Sequence, residues 1–141
     1  LKDADINLKP RLRMATLYGI SGLFNGRVAN TCNLSEDYVG YSTKFGDSAG
    51  DFSPISNFTK TEVRELGEEL GLPKNLIYKV PEDGMSFKSD EEKLGFTYEV
   101  LDKYIRTGEI DDLKIKEKID KMHLANLHKI QLMPSYKKDG K

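Results

Sequence analysis

Side chains return at helical spacing early in the chain: Met14, Leu17, Tyr18 and the small Ser21 share one helical face, and Asn25-Gly26 supplies residues that commonly end a helix in the left-handed conformation. A helix over Leu8 to Phe24 is predicted. The run Arg27-Val28-Ala29 reads as a short buried strand leading into the polar cluster Asn30-Thr31-Cys32-Asn33. Ser35 is placed to cap a short helix that reaches Tyr41, and Lys44 to Asp51 holds too many small and polar residues to propagate regular structure. Phe52 to Ile55 suits a second short strand, with Pro54 near its end because proline has no amide proton to donate.

Thr59-Lys60-Thr61-Glu62 is a capping box, so a helix starts at Lys60; Val63, Leu66 and Leu70 form its apolar stripe, and Gly71 and Pro73 end it. Pro81 to Glu92, rich in glycine, serine and acids, reads as a mobile loop that closes in a second box, Ser89-Asp90-Glu91-Glu92. Thr97 can cap a helix whose Val100, Leu101, Tyr104 and Ile105 share a face before Gly108, and Ile115, Ile119 and Met122 mark another that runs to about Lys129. The order is helix, strand, helix, strand, then helices only. It predicts an α/β fold, the helix-rich C-terminal end of a parallel sheet whose other strands lie upstream of Leu1 or in a partner chain.

Charge changes the picture little at first: 22 basic residues nearly cancel 23 acidic ones among 141, so no global field draws the chain to nucleic acid or to an anionic membrane. The only cysteine, Cys32, cannot form an intramolecular disulfide, and no apolar run of about 18 residues spans a membrane or serves as a secretory signal. A cytoplasmic protein is expected, and the start at Leu1 reads as the middle of a longer one.

Motif searches remove several chemistries: there is no Gly-x-x-x-x-Gly-Lys-Ser/Thr, Gly-x-Gly-x-x-Gly, Gly-x-Ser-x-Gly or Cys-x-x-Cys. His123 and His128 stand five apart, on different helical faces, which does not make a zinc pair. What remains is a constellation of charged and polar residues at element ends: Arg11 and Arg13, then Thr31, Glu36, Lys44, Asp51 and Lys60. Taken singly, each is an ordinary surface residue, but the ends of parallel strands are where α/β sheets bind ligands.

The strings that carry these residues are Asn7-Leu8-Lys9-Pro10-Arg11-Leu12-Arg13-Met14, Asn30-Thr31-Cys32-Asn33-Leu34-Ser35-Glu36, Gly40-Tyr41-Ser42-Thr43-Lys44-Phe45-Gly46-Asp47, Thr59-Lys60-Thr61-Glu62-Val63, Ser89 to Gly95 with Tyr98, and His128-Lys129. In order and spacing they resemble the successive signatures of ammonia-dependent NAD synthetase over nearly the whole chain. The resemblance implies the C-terminal part of a single Rossmann-like domain of the adenine nucleotide alpha hydrolase type, residues 1–141, in a homodimeric enzyme. It also implies a reaction in which ATP adenylates the nicotinate carboxylate of deamido-NAD and ammonia then displaces AMP.

By the same resemblance Thr31, Lys60 and Glu82 would meet ATP, Glu36 would bind Mg2+, and Arg11, Lys44, Asp51, His128 and Lys129 would hold deamido-NAD. Three departures stand out: Asn30-Thr31-Cys32 replaces the family's Gly-Thr-Gly/Asp, Glu82 replaces a small hydroxyl residue, and no Ser-Gly-Gly-x-Asp-Ser phosphate loop is present. The chain alone is therefore expected to be inactive. A noncatalytic dimerisation or regulatory module, and a half-enzyme that works with a separate N-terminal chain, stay open beside that reading. Pro81 to Ser89 is expected to act as a lid over bound nucleotide.

Overall fold

The computed structural model describes residues 2–80 and 89–136. Seven helices are found among them: α1 Lys2–Leu23, α2 Leu34–Val39, α3 Lys60–Glu69, α4 Lys74–Ile77, α5 Asp90–Leu94, α6 Tyr98–Thr107 and α7 Leu113–Ile130. The loop residues from Pro81 to Lys88, including Glu82, lie outside the described residues, and the lid expectation lies there with them; the capping box predicted at its end can be followed. Ser89 does cap α5, its side chain accepting from the Glu92 amide at 3.2 Å while Glu92 accepts from the Ser89 amide at 2.7 Å.

The first helix is longer than its periodicity predicts, running from Lys2 through Pro10, whose ring is buried and sits so close to Gly46 that a Cβ on Gly46 would lie 2.8 Å from it. It ends where the sequence places the end: Asn25 is left-handed at φ 49° and the Gly26 amide reaches back to Ser21 at 2.8 Å. Met14, Tyr18 and Ser21 are half-buried, but Leu17 is exposed and so lies off the buried face.

Neither predicted strand forms among the described residues. Instead Ala29 and Phe52 make a single parallel bridge, in which the Asn30 amide donates to Phe52 at 2.8 Å and the Asp51 amide donates to Val28 at 2.7 Å. Pro54 explains why pairing stops: the chain turns at once, and without an amide proton there is no donor for a further rung.

The short helix α2 corrects another expectation. Its cap is Asn33, not Ser35: the Asn33 side chain accepts from the Glu36 amide at 3.0 Å and Glu36 accepts from the Asn33 amide at 3.2 Å. Ser35, two residues further on in the first turn, is buried. The helix stops at Gly40, left-handed at φ 66°, where a Cβ would run into Asn126 of α7 at 2.1 Å. Glycine is required there on both counts.

In α3 the predicted box is present, Thr59 accepting from the Glu62 amide at 3.4 Å and Glu62 from the Thr59 amide at 2.7 Å. Its stripe is shallower than predicted, however, with Val63 and Leu66 half-buried, Leu70 68% exposed, and Gly67 the buried position, against Ile77 of the unpredicted α4. The core proper lies where α2, α5, α6 and α7 meet: Val39, Leu94, Phe96, Tyr98, Leu101 and Ile119 are buried together. Tyr38, Tyr104, Ile105, Ile115 and Met122 close its sides.

Candidate functional site

The Gly40 to Asp47 segment stands between α1 and α7, and its geometry is fixed from within: the Thr43 amide donates to Asp47 Oδ1 at 2.9 Å, and Ser48 Oγ donates to the Thr43 carbonyl at 2.9 Å. As the sequence predicts, Lys44 to Asp51 forms no helix or strand, and its first part is a hydrogen-bonded turn. Phe45, at its tip, holds φ at 62°, an uncommon conformation for a bulky residue and one that costs on the order of 1–3 kcal/mol. Strain thus sits directly beside Lys44.

Four of the predicted ligand residues meet at this turn. Arg11 Nε donates to the Lys44 carbonyl at 3.2 Å, Lys44 Nζ donates to the His128 carbonyl, and Lys129 Nζ donates to the carbonyls of Gly40 at 2.6 Å and Ser42 at 2.8 Å. Two helices are stitched to one loop by cations. Among the described residues no carboxylate forms an ion pair with Arg11, Lys44 or Lys129. Burial presses the Lys129 ammonium below its ordinary pKa, and Asp47 opposes that. The ring of His128 instead turns to the Ala125 carbonyl at 3.1 Å, so the backbone of His128, not its imidazole, belongs to the cluster.

A cleft of about 510 Å³ opens beside this cluster, lined by Arg13 of α1 and Lys129 of α7 and by the carboxylates of Glu36, Asp47 and Asp90. Glu36 is aimed by its capping role: one carboxylate oxygen is held at the Asn33 amide while the other meets Lys60 Nζ at 3.3 Å. The aromatic ring of Tyr98 lies beneath, 5.5 Å from the same ammonium, and the Tyr98 hydroxyl is buried without a hydrogen-bond partner among the described residues. Burial, then the carboxylates of Glu36 and Asp90, push that hydroxyl's pKa far up.

Of the predicted residues Glu36 and Lys129 line the cleft, whereas Arg11, Lys44 and His128 stay at the turn beside it and Thr31, Asp51 and Lys60 lie elsewhere. Thr31 is exposed and lines a separate cavity of about 170 Å³ between α1 and the bridged segments, which Arg13 and Asp47 also line. Asp51 accepts from the Val28 amide at 2.7 Å and so helps to hold the parallel bridge. Lys60 faces a groove between α3 and α4 as well as Glu36. Arg13 and Asp47, which line both cavities, are absent from the predicted ligand set; Asp47 ends the Gly-Tyr-x-Thr-Lys-Phe-Gly-Asp string, a signal that was available.

Carboxylates crowd the same edge. Asp37 is raised from 3.8 to about 6, first by burial and then by repulsion from Glu36 and Asp47, and the Cys32 thiol is pushed up to about 12 by burial and the same acids. Cys32 is accordingly no nucleophile at neutral pH. For Asp37 the folded chain binds the proton more tightly than the unfolded one, so stability is fullest below pH 4 as far as this group is concerned and falls as pH rises towards 6. Asp37→Asn should remove that decline and stabilise the chain at pH 7 by about 1–2 kcal/mol, the full shift being discounted for partial exposure. Urea melts of both chains from pH 4 to 7 measure it, and parallel curves would contradict the assignment.

Among the described residues no three His, Cys, Asp or Glu side chains converge as a ready metal site, and no helix is long and apolar enough to cross a membrane. A cleft walled by a held carboxylate, beside cations that lack carboxylate partners, is suited to an anionic ligand accompanied by a cation.

Comparison with known proteins gives the family. The NAD synthase family model matches residues 2–140, and the chain belongs to that family. An NH(3)-dependent NAD(+) synthetase of Methanococcus aeolicus is 50% identical over 119 residues, 84% of this chain and 46% of the relative. Among solved structures, an NMN synthetase from Francisella tularensis superposes with a TM-score of 0.90 at 36% identity, covering 96% of this chain and 57% of that one. An NH3-dependent NAD synthetase from Campylobacter jejuni, solved with nitrate, gives 0.69 at 30% identity over 93% and 54%. The chain thus spans about half the length of the curated relatives it matches.

Proposed function

We propose that this chain is the C-terminal, acceptor-holding part of an ammonia-dependent NAD synthetase domain, acting in NAD biosynthesis. The observation that carries the reading is the linked set Arg11, Lys44 and Lys129, whose charges meet backbone carbonyls but no carboxylate among the described residues. Cations arranged in this way leave their charge for an anion, and the pyrophosphate of deamido-NAD offers one.

In the reaction proposed for the whole enzyme, a carboxylate oxygen of deamido-NAD attacks the α-phosphorus of ATP and pyrophosphate leaves. Ammonia then attacks the acyl carbon, AMP leaves, and the amide of NAD remains after loss of a proton. Lys60 would steady the nucleotide's phosphates with its side chain, with Thr31 near the adenosine. Its helix has no amides to offer, since those of Lys60, Thr61 and Glu62 are bonded to Ser35, Asp102 and Thr59. Glu36 suits one position of a Mg2+ ion, whose other ligands are usually water and substrate phosphates; the crowding that raises Asp37 supports a cation at this edge. The metal would neutralise phosphate charge.

The Ala29–Phe52 bridge is proposed to be the last rung of the Rossmann-like parallel sheet, completed by strands outside these residues. The proposed setting is the cytoplasm. Homodimerisation is proposed too, because Leu8, Leu12, Ile20, Leu23 and Phe24 of α1 and its end are exposed, an apolar surface that favours a second copy. Sedimentation should show mass rising with concentration; a monomer throughout would remove that part.

A second acceptor is favoured by one observation, the 0.90 superposition on an NMN synthetase. Titrating the 15N-labelled chain with deamido-NAD and, separately, with nicotinate mononucleotide tests both. The proposal predicts amide shifts gathered at Arg11, Lys44 and His128-Lys129, stronger for deamido-NAD. Stronger shifts with the mononucleotide would transfer the assignment to the second acceptor, and shifts elsewhere, or none at millimolar ligand, would sink both.

A further inference from the structure

Asp102 is a carboxylate of α6, only 6% exposed, and none of the ligand assignments uses it. Its Oδ1 accepts from Ser35 Oγ of α2, and its Oδ2 accepts from the Thr61 amide at 2.8 Å and the Thr61 hydroxyl at 2.7 Å. Ser35 Oγ in turn accepts from the Lys60 amide at 2.9 Å. One buried charge therefore ties its own helix to two others, and the chain of bonds ends at the first two residues of α3.

This arrangement does two things at once. A carboxylate at a helix N-terminus is stabilised by the helix dipole and by the unpaired amides there, which offsets the cost of its burial. It also fixes where the α3 backbone begins relative to α2. Lys60 is the first residue of α3 and Glu36 sits in α2, so the 3.3 Å contact between their side chains depends on that spacing. The ring of Tyr98, the first residue of the same helix that carries Asp102, lies 5.5 Å from the Lys60 ammonium.

We propose that Asp102 is a positioning residue for Lys60: through Ser35 and Thr61 it sets the α2–α3 spacing that aims the Lys60 ammonium at Glu36 above the Tyr98 ring. Its consequence for ATP rests on the nucleotide role given to Lys60 above; the positioning itself does not. Nothing in the chain's hydrogen bonding requires Asp102 to touch substrate.

The test uses the whole chain and the variants Asp102→Asn and Ser35→Ala, with thermal melting and dispersed amide spectra to establish folding. In the wild type, a slowly exchanging side-chain ammonium signal is expected for Lys60, assigned by its loss in Lys60→Arg. In folded Asp102→Asn that exchange should quicken on the order of tenfold, the scale of one charge-assisted hydrogen bond, and in Ser35→Ala it should move the same way. Exchange within twofold of wild type in either folded variant overturns the proposal, and if Asp102→Asn does not fold, Ser35→Ala decides alone. Titration with ATP and Mg2+ then separates the two claims: faster Lys60 exchange with weakened ATP binding supports both, whereas faster exchange with unchanged ATP binding leaves the positioning standing and removes the nucleotide role of Lys60.

Discussion

The 141-residue chain, given ATP, Mg2+, deamido-NAD and ammonium, is expected to form no NAD above a heat-killed control. Its residues supply a set of cations, proposed to hold the acceptor, and one aimed carboxylate, but the sequence contains no Ser-Gly-Gly-x-Asp-Ser loop to wrap pyrophosphate. Nor can α3 substitute for it. A helix N-terminus is often a phosphate site, yet here its amides are bonded to Ser35, Asp102 and Thr59. Each preorganised donor missing from a site where charge develops costs about 10²–10³ in rate, so losing several places turnover beyond ordinary detection. Protein-dependent NAD formation by this chain would show that phosphate is held by residues other than those the proposal uses.

The second large effect concerns stability. Leu101 is fully buried in the cluster with Val39, Leu94, Phe96, Tyr98 and Ile119, at the junction of α2, α5, α6 and α7. Leu101→Ala leaves a cavity among the large side chains of Leu94, Phe96, Tyr98 and Ile119, so a loss of about 2–5 kcal/mol is expected. Against the roughly 5–15 kcal/mol that holds a typical domain, this is a large fraction. Urea denaturation measures it directly. A loss under about 1 kcal/mol would mean that the core lies elsewhere, and Leu70→Ala, at a 68% exposed position, should cost little by comparison.

The features readable from sequence were those whose partners are close in the chain. The boxes at Thr59 and Ser89 each join residues three apart, and Asn25 and Gly108 end their helices by backbone conformation alone. Where two neighbours could both serve, the choice was not legible: Asn33 and Ser35 are each good caps, and Asn33 prevails because Ser35 is drawn inward to Asp102, 67 residues away. Leu70 failed as a core position because α3 buries its face at Gly67, against α4, and α4 itself is four residues after a proline, too short to show a period. The two predicted strands do not form because a strand needs continued pairing along its length, and among the described residues only the Ala29–Phe52 bridge is made.

Within the site, the residue types were legible and their grouping was not. Arg11, Lys44 and Lys129 are tied together through main-chain carbonyls, which no sequence pattern specifies, and His128 takes part through its carbonyl rather than its imidazole. Glu36 could be read as a ligand from its string, but its aim depends on two constraints at once, the cap at Asn33 and the contact with Lys60. Asp102 gave no signal at all, since its partners on α2 and α3 are distant in sequence.

The central claim is that this chain holds the acceptor half of a synthetase site, and joining it to a phosphate loop tests that most directly. The measurement is NAD formation by a fusion of the preceding half of the Methanococcus aeolicus relative to this chain, with ATP, Mg2+, deamido-NAD and ammonium. The account predicts turnover by the fusion, none by either half alone, and a fall of about 10²-fold or more when Lys44 is replaced by Ala. A folded fusion that binds ATP but forms no amide from deamido-NAD or nicotinate mononucleotide, or one whose turnover ignores Lys44→Ala, would contradict it.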